Sequence, residues 1–197
     1  GTAELVVPGA DGTAEDTARV FETKGVALAA DGGVVVQFST SVGASLAKIT
    51  PNGTFDAGFG GGTGWVTDQY VLCGLATDLA IGDDGSIYTA SHELQGNQLK
   101  PQCPGSGLRK YSAGGVKVDN WGGAARTVEG GRQDGRIEAS AMAVGDVGGA
   151  ERIVTVGVVP GNATASAGIL LLDPAGEPVP GFGTDGLVTL DPSPGMA

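Results

Sequence analysis

The chain contains very few of the residues on which zinc sites and histidine-dependent catalysis rely. It has one histidine and two cysteines in 197 residues, and aromatic residues make up only 5% of it. A three-histidine zinc site is therefore impossible within the chain, and any Ser-His-Asp or Cys-His mechanism would have to use His92. The shortage of aromatic side chains also leaves few platforms on which a sugar ring could stack.

Basic residues and long apolar runs are scarce as well. The chain has 11 Lys and Arg against 22 Asp and Glu, which gives a formal net charge of −11. Nucleic acids and anionic membrane surfaces require basic patches, so the charge argues against both as partners. No apolar run reaches the roughly 18 residues of a membrane-spanning helix. Because the first residues are strand-like and lack a signal region, we expect a mature chain or one whose start is missing.

Glycine, in contrast, is abundant. The chain has 37 glycines and 10 prolines, and only 17% of its residues are charged. The glycines have no three-residue period, which excludes a collagen-like helix. This composition favours a turn-rich, all-β chain.

A motif recurs three times along the chain. It starts at Ser45 (SLAKITPNGTFDAGFGGGTGWVT), at Gly107 (GLRKYSAGGVKVDNWGGAARTVE) and at Gly168 (GILLLDPAGEPVPGFGTDGLVTL). The three copies align without a gap as far as an aromatic residue that is followed by glycine. We expect these aromatic-glycine pairs to be structural and to pack between repeats; they are Phe59-Gly60, Trp121-Gly122 and Phe182-Gly183.

A hairpin-like segment precedes each copy of the motif. The segments start at Gly25 (GVALAADGGVVVQFS), Ala76 (ATDLAIGDDGSIYTAS) and Ala139 (ASAMAVGDVGGAERIVTVG), and each has a turn with Asp and Gly between two short strands. Every repeat thus offers four strands, which for the second repeat are expected at 78–81, 86–91, 108–112 and 126–129. Four antiparallel strands at a period near 60 residues are typical of one propeller blade.

The predicted fold is all-β and propeller-like, with three four-stranded antiparallel blades and an extra N-terminal outer strand. Propellers need about four to eight blades. Three blades would leave two apolar faces open to water, so we expect the rest of a longer chain, or a second copy, to complete the ring. The predicted boundaries are 1–7 for the spare strand and 26–67, 76–129 and 139–190 for the repeats.

The repeat resembles that of the bacterial delta-60 repeat proteins, whose unit runs like LARLNPDGSLDTSFGTGGKVT followed by ALALQPDGKILVAG. The matching stretches here are SLAKITPNGTFDAGFGGGTGWVT, VALAADGGVVV, DLAIGDDGSIYTA and GFGTDGLVTL. The later copies depart from the pattern, because Val118 and Val179 stand where the first has Asp56, and Trp121 replaces Phe. The resemblance implies a propeller-like, usually secreted or surface-associated protein, and it transfers no catalytic residue.

The stretch GFGGGTGW, from Gly58 to Trp65, does not fit a phosphate-binding loop. A dinucleotide motif would need its third glycine where Thr63 stands, and no Lys-Ser/Thr pair follows as in a P-loop. The stretch also leads into a strand and not into a helix, so no helix N-terminus is available for an anion. Its glycines therefore indicate a tight turn between two strands.

Cys73 and Cys103 are predicted to form a disulfide. In an up-and-down blade, the connection that leads into the first strand and the connection between the second and third strands emerge on one face, and these two connections contain Cys73 and Cys103. Closing a loop of about 30 residues would contribute roughly 3–4 kcal/mol by the chain-entropy estimate. A free thiol pair and a pair of zinc ligands are the alternatives, although two cysteines without neighbouring histidines make a poor zinc site. His92 borders the same connection, and we interpret it as a solvated residue.

Acidic residues cluster in the 8–24 segment and in the Asp-Gly turns. Calcium would need carboxylates at alternate positions that end in a bidentate Glu. Asp11, Glu15 and Asp16 lack that spacing. The acids of the Asp-Gly turns at Asp11, Asp31 and Asp84 are expected to stabilise those turns. We predict no cofactor, with calcium as the open alternative.

Two classes of function fit these observations. The first is a non-enzymatic, secreted or cell-surface module that binds a ligand, or acts as a scaffold, through the loops on one face. The rival is a secreted carbohydrate-active or other hydrolase or lyase, with carboxylates at the propeller channel and a site completed by missing chain or a partner. A hydrolase would bring two carboxylates into one pocket, whereas a binding module would present a broad, loop-built patch. The loops in question are 8–24, 68–75, 93–107, 129–136 and 160–167.

Overall fold

The computed structural model describes residues 20–40, 43–68, 74–93, 107–119, 121–122, 137–159 and 166–190. Within these ranges the chain forms eleven strands and one short 3₁₀ turn at Gly60–Gly62. None of the described residues belongs to a helix long and apolar enough to cross a membrane. The all-β prediction is confirmed.

The strands form three antiparallel sheets, and within each sheet the strands pair in chain order. The first sheet contains β1 (Val20–Leu28), β2 (Val34–Thr40), β3 (Gly43–Ile49) and β4 (Trp65–Asp68). The described part of the second contains β5 (Gly74–Ile81), β6 (Ile87–Glu93) and β7 (Gly107–Tyr111). The third contains β8 (Glu138–Asp146), β9 (Glu151–Val159), β10 (Ser166–Leu172) and β11 (Leu187–Leu190).

The Asp-Gly turns in the first two repeats have the same construction. The Asp31 carboxylate accepts a hydrogen bond from the Gly33 amide (2.9 Å), and the Asp84 carboxylate accepts one from the Ser86 amide (2.8 Å). An Asp side chain that bonds to the backbone two residues on stabilises a tight turn. These turns join β1 to β2 and β5 to β6, so both lie at the same end of their sheets, which we call the turn end.

The hydrophobic core lies between the sheets. Strands have side chains on alternate faces, and the two largest of four buried clusters lie between neighbouring sheets, whereas Phe38 and Ala47 are buried with Phe55 and Trp65 on the outer face of the first sheet. The first sheet packs on the second through Val35, Leu46, Phe59, Leu79, Ile87 and Tyr111. The second packs on the third through a cluster that includes Tyr88, Ala90, Trp121, Met142, Ile153 and Leu172.

The first strand of each sheet is the one nearest the neighbouring sheets. β5 contacts β1 on one side and β8 on the other. A row of meander sheets that meet at their first strands is the arrangement within a propeller. Among the described residues the three sheets do not close into a ring, because the third sheet packs on the second and makes no extensive contact with the first.

The prediction that residues 20–24 belong to a loop is wrong, because β1 begins at Val20. Two register shifts let β1 continue beside β2, and the first pair of the ladder is Val20 with Thr40. Bulges of this kind extend a strand past the point at which its regular alternation ends. The predicted spare strand at 1–7 and the fourth strand of the second repeat at 126–129 lie outside the described residues.

Candidate functional site

Each of the first two aromatic-glycine pairs packs on a glycine turn of the next sheet. Phe59 is fully buried, and a Cβ on Gly115 would lie 2.7 Å from its ring. The Gly60 amide donates a hydrogen bond to the Gly114 carbonyl (2.9 Å). Because Gly115 has a φ of +81° as well as this close contact, only glycine fits beneath the ring.

The second pair repeats this arrangement one sheet further on. Trp121 is buried, and a Cβ on Gly176 would lie 2.8 Å from its indole ring. The Gly122 amide donates to the Ala175 carbonyl (3.1 Å). Phe182, by contrast, is half-buried and Gly183 is exposed, because no described sheet follows the third.

The glycine-rich stretch between Gly58 and Trp65 is a compact turn. Gly60 has a φ of +62°, and a Cβ there would lie 2.1 Å from the Trp65 carbonyl oxygen. The Gly64 amide donates to the Phe59 carbonyl (2.9 Å), which closes the turn. The amides at Gly60 and Gly64 are thus used by the protein itself, so the geometry supports the structural interpretation of this stretch.

A cluster of polar residues lies between the first and second sheets, toward the end opposite the turn end. We call this opposite end the loop end. The Gln37 amide donates to the Ala90 carbonyl (3.2 Å), and the Ala76 amide donates to the Ser39 hydroxyl (3.0 Å). The Arg109 guanidinium donates to the Ser91 hydroxyl (3.1 Å). The interface therefore changes from apolar at the turn end to polar at the loop end.

A small cleft opens at this polar cluster. Its polar lining includes Gln37, Thr89, Ser91, Arg109 and Tyr111, and its enclosed volume is about 10 Å³. A cavity of that size holds about one water molecule, so the cleft is too small to hold a whole substrate. The lining offers amide, hydroxyl, phenol and guanidinium groups but no carboxylate or imidazole, so it can form hydrogen bonds but lacks the carboxylate pair of a glycosidase.

The acids Asp31 and Asp56 meet at Lys48, at the turn end. The Lys48 ammonium lies 2.5 Å from the Asp31 carboxylate and 2.9 Å from that of Asp56. Its hydrogen bonds lower the pKa of both carboxyls, and these contacts raise the pKa of Lys48. A glycosidase needs one carboxyl with a raised pKa as its general acid. Neither Asp31 nor Asp56 has such a raised pKa. Together with Lys48 they form an ion-pair network that joins two turns of the first sheet.

The structure also contains a polar contact that the sequence patterns do not indicate, between the second and third sheets. The Trp121 indole N–H and the Lys110 ammonium both donate to the Pro174 carbonyl, at 2.9 and 3.2 Å. The same ammonium lies 5.1 Å from the centre of the buried Tyr88 ring, and burial raises the pKa of that phenol. Lys110 aligns with Lys48, so the repeat pattern could have identified the position, but not its partner.

Of the remaining residues singled out in the sequence, the structure describes the backbone of His92 but not the two cysteines or the N-terminal acids. The backbone of His92 belongs to β6 and is in register with Leu75. Cys73 and Cys103 lie outside the described residues, so the disulfide stays a prediction. The acids at 11, 15 and 16 lie outside them as well, and the described part of the chain has no group of three metal-binding side chains.

Comparison with known proteins gives no family for this chain. No protein-family model matches it, and no curated protein matches its sequence. Among solved structures, extracellular domains 1–2 of Drosophila Semaphorin 1b align with 80% of this chain, at 11% identity and a TM-score of 0.30. The alignment spans 41% of that semaphorin chain.

Proposed function

We propose that the chain is a non-enzymatic, propeller-like module that binds a ligand, or serves as a scaffold, through the connections at its loop end. One observation carries this proposal. At the turn end, the β1–β2, β5–β6 and β8–β9 connections are all short, and the β3–β4 and β10–β11 connections (50–64 and 173–186) are nearly equal in length, whereas the β2–β3, β6–β7 and β9–β10 connections at the loop end differ greatly in length. The latter are residues 41–42, 94–106 and 160–165. Rigid scaffolds commonly use such variable loops for recognition.

The arrangement of charged groups supports a binding role over hydrolysis. The carboxylates of Asp31 and Asp56 lie at the turn end and are held ionised by Lys48. The cleft nearest the loop end has no carboxylate in its lining. The net charge of −11 favours a basic or neutral polar ligand for the module as a whole.

We also propose, from the sequence pattern, that the chain is a delta-60 repeat protein that acts outside the cell. The low number of lysines and the two cysteines suit an oxidising compartment. Delivery of a tagged chain to the medium of the native host would support this location, and retention in the cytoplasm would contradict it.

The test shortens one connection at the loop end. Residues 94–106 are replaced by the Ser-Val dipeptide that joins β2 to β3, and Cys73→Ser removes the cysteine that would lose its predicted partner. Binding is measured on a panel of immobilised basic peptides and oligosaccharides. We expect the wild-type chain to bind at least one member, and the shortened chain to bind it at least 10-fold more weakly with an unchanged circular dichroism spectrum.

The matched control is the double variant Cys73→Ser/Cys103→Ser, which loses both cysteines and keeps the whole connection. It should bind as the wild type does. Equal binding by the shortened chain would contradict a role for this connection in recognition. Release of reducing sugar from any oligosaccharide of the panel would contradict the non-enzymatic proposal and favour the hydrolase.

A further inference from the structure

The row of three sheets ends in two faces that no described sheet covers. We call the outer face of the third sheet the donor face; it is formed by Ala143, Val154, Val156, Ile169 and Phe182. We call the outer face of the first sheet, toward the turn end, the acceptor face; it is formed by Val26, Leu28, Val34, Ile49 and Gly53. The names come from the internal interfaces. There, one sheet provides the aromatic-glycine pair and the next sheet provides the glycine turn on which that pair packs.

The donor face repeats the positions that are buried inside the chain. Phe182 aligns with Phe59 and Trp121, which are both buried against a following sheet. Val154 aligns with the buried Val35 and Tyr88. Val156, which is 39% exposed, aligns with Gln37 and Ala90, which are buried.

The acceptor face repeats the opposite side of the same interface. Val26 is 66% exposed, whereas its counterparts Leu79 and Met142 are at most 9% exposed. Gly53 has a positive φ of +81°, close to those of Gly115 (+81°) and Gly176 (+87°), yet a Cβ there would meet nothing within 4 Å. An aromatic ring occupies that space at both internal turns, whereas beside Gly53 it is open.

We propose that the donor face of one copy of this chain packs on the acceptor face of a second copy. Phe182 then covers Gly53 as Phe59 covers Gly115, and the Gly183 amide donates to the carbonyl of Asn52. Asn52 aligns with Gly114 and Ala175, the residues whose carbonyls accept the corresponding bonds inside the chain. The inference rests on packing alone, and it does not depend on what the loops bind.

The proposal takes two copies, because the described part of each copy contributes three sheets. Propellers close with about four to eight sheets, and two copies with three sheets each would give six. Three copies would exceed this range. In a closed pair each copy uses its donor face on the other's acceptor face, so both apolar faces are covered and no end remains for further addition.

The first test is the mass of the full chain, measured by sedimentation at increasing concentration. We expect twice the 19.4 kDa of one chain for the wild type and a single chain for Val26→Glu. The matched control is Val116→Glu, because Val116 is 67% exposed although its own sheet is covered on both faces; this variant should keep the doubled mass. Circular dichroism shows whether all three chains are folded.

A mixing experiment tests the head-to-tail geometry. Val26→Glu blocks the acceptor face and Val156→Glu blocks the donor face, so each variant alone should be a single chain. Mixed in equal amounts, they retain one intact donor–acceptor interface and should associate into pairs. A wild-type chain that stays single, a pair that survives Val26→Glu, a series of higher multiples, or variants that do not associate on mixing would each overturn the proposal.

Discussion

Phe59, Trp121 and Phe182 occupy the same position in the three repeats but have different surroundings. Phe59 and Trp121 each have a glycine turn of the next sheet beneath them, and Phe182 does not. The sequence alignment predicts the shared position, because an aromatic residue followed by glycine recurs there. It cannot predict the difference, because burial depends on whether a further sheet follows and not on the residue itself.

Replacement of Phe59 by Ala should cost more than replacement of Phe182 by Ala. Loss of a fully buried Phe leaves a cavity and costs about 3–5 kcal/mol, whereas the half-buried Phe182 should cost no more than about 2 kcal/mol. Both variants are made in the Val26→Glu chain, so that contacts with a second copy do not contribute. The measurement is the free energy of unfolding in urea, and equal losses would contradict the difference in burial.

The hairpins and the glycine turns are the elements that the sequence predicts best. The Asp-Gly turns lie where the patterns place them, because a side-chain carboxylate and a glycine suffice to form a turn locally. The early start of β1 was missed, since its register shifts break the alternation from which a strand is recognised. The ion pairs of Lys48 were missed for a different reason, because they join two turns that lie far apart along the chain.

The turn after Phe59 provides a prediction at this scale. Gly60→Ala and Gly61→Ala both place alanine at a positive φ, which costs about 1–2 kcal/mol. Only at Gly60 does the new Cβ also collide with the Trp65 carbonyl, whereas at Gly61 it meets nothing within 4 Å. We expect about 3 kcal/mol or more for Gly60→Ala, measured by thermal unfolding.

Gly61→Ala serves as the control, because it carries the same left-handed strain without the collision. Similar melting temperatures for the two variants would show that the turn can shift away from the Trp65 carbonyl. The compact geometry of the turn would then be wrong.

At the scale of the whole molecule, the second sheet differs from the others because it has a neighbour on each face. Residues Ser86 to Ser91 are all buried, which is the longest such run among the described residues. The repeat pattern predicts three similar units. Because the second sheet has a neighbour on each face, we expect it to be more stable than the two outer sheets. In repeat arrays, each unit depends on the interfaces that it shares with its neighbours.

Amide hydrogen exchange should therefore be slowest in β5 and β6. The amides of β4 and β11, the last strands of the two outer sheets, should exchange faster by a factor of 10 or more, since local opening there breaks fewer contacts. The measurement is exchange followed by mass spectrometry of peptides from the Val26→Glu chain. Uniform protection across all three sheets would show that the row unfolds only as one cooperative unit.

The matching donor and acceptor faces also have a consequence for how such a chain can change over evolutionary time. Because every interface joins the same kind of donor to the same kind of acceptor, a gene duplication that adds one repeat leaves both terminal faces complementary. A deletion of one repeat does the same. Repeat number can thus change by recombination without any new kind of interface.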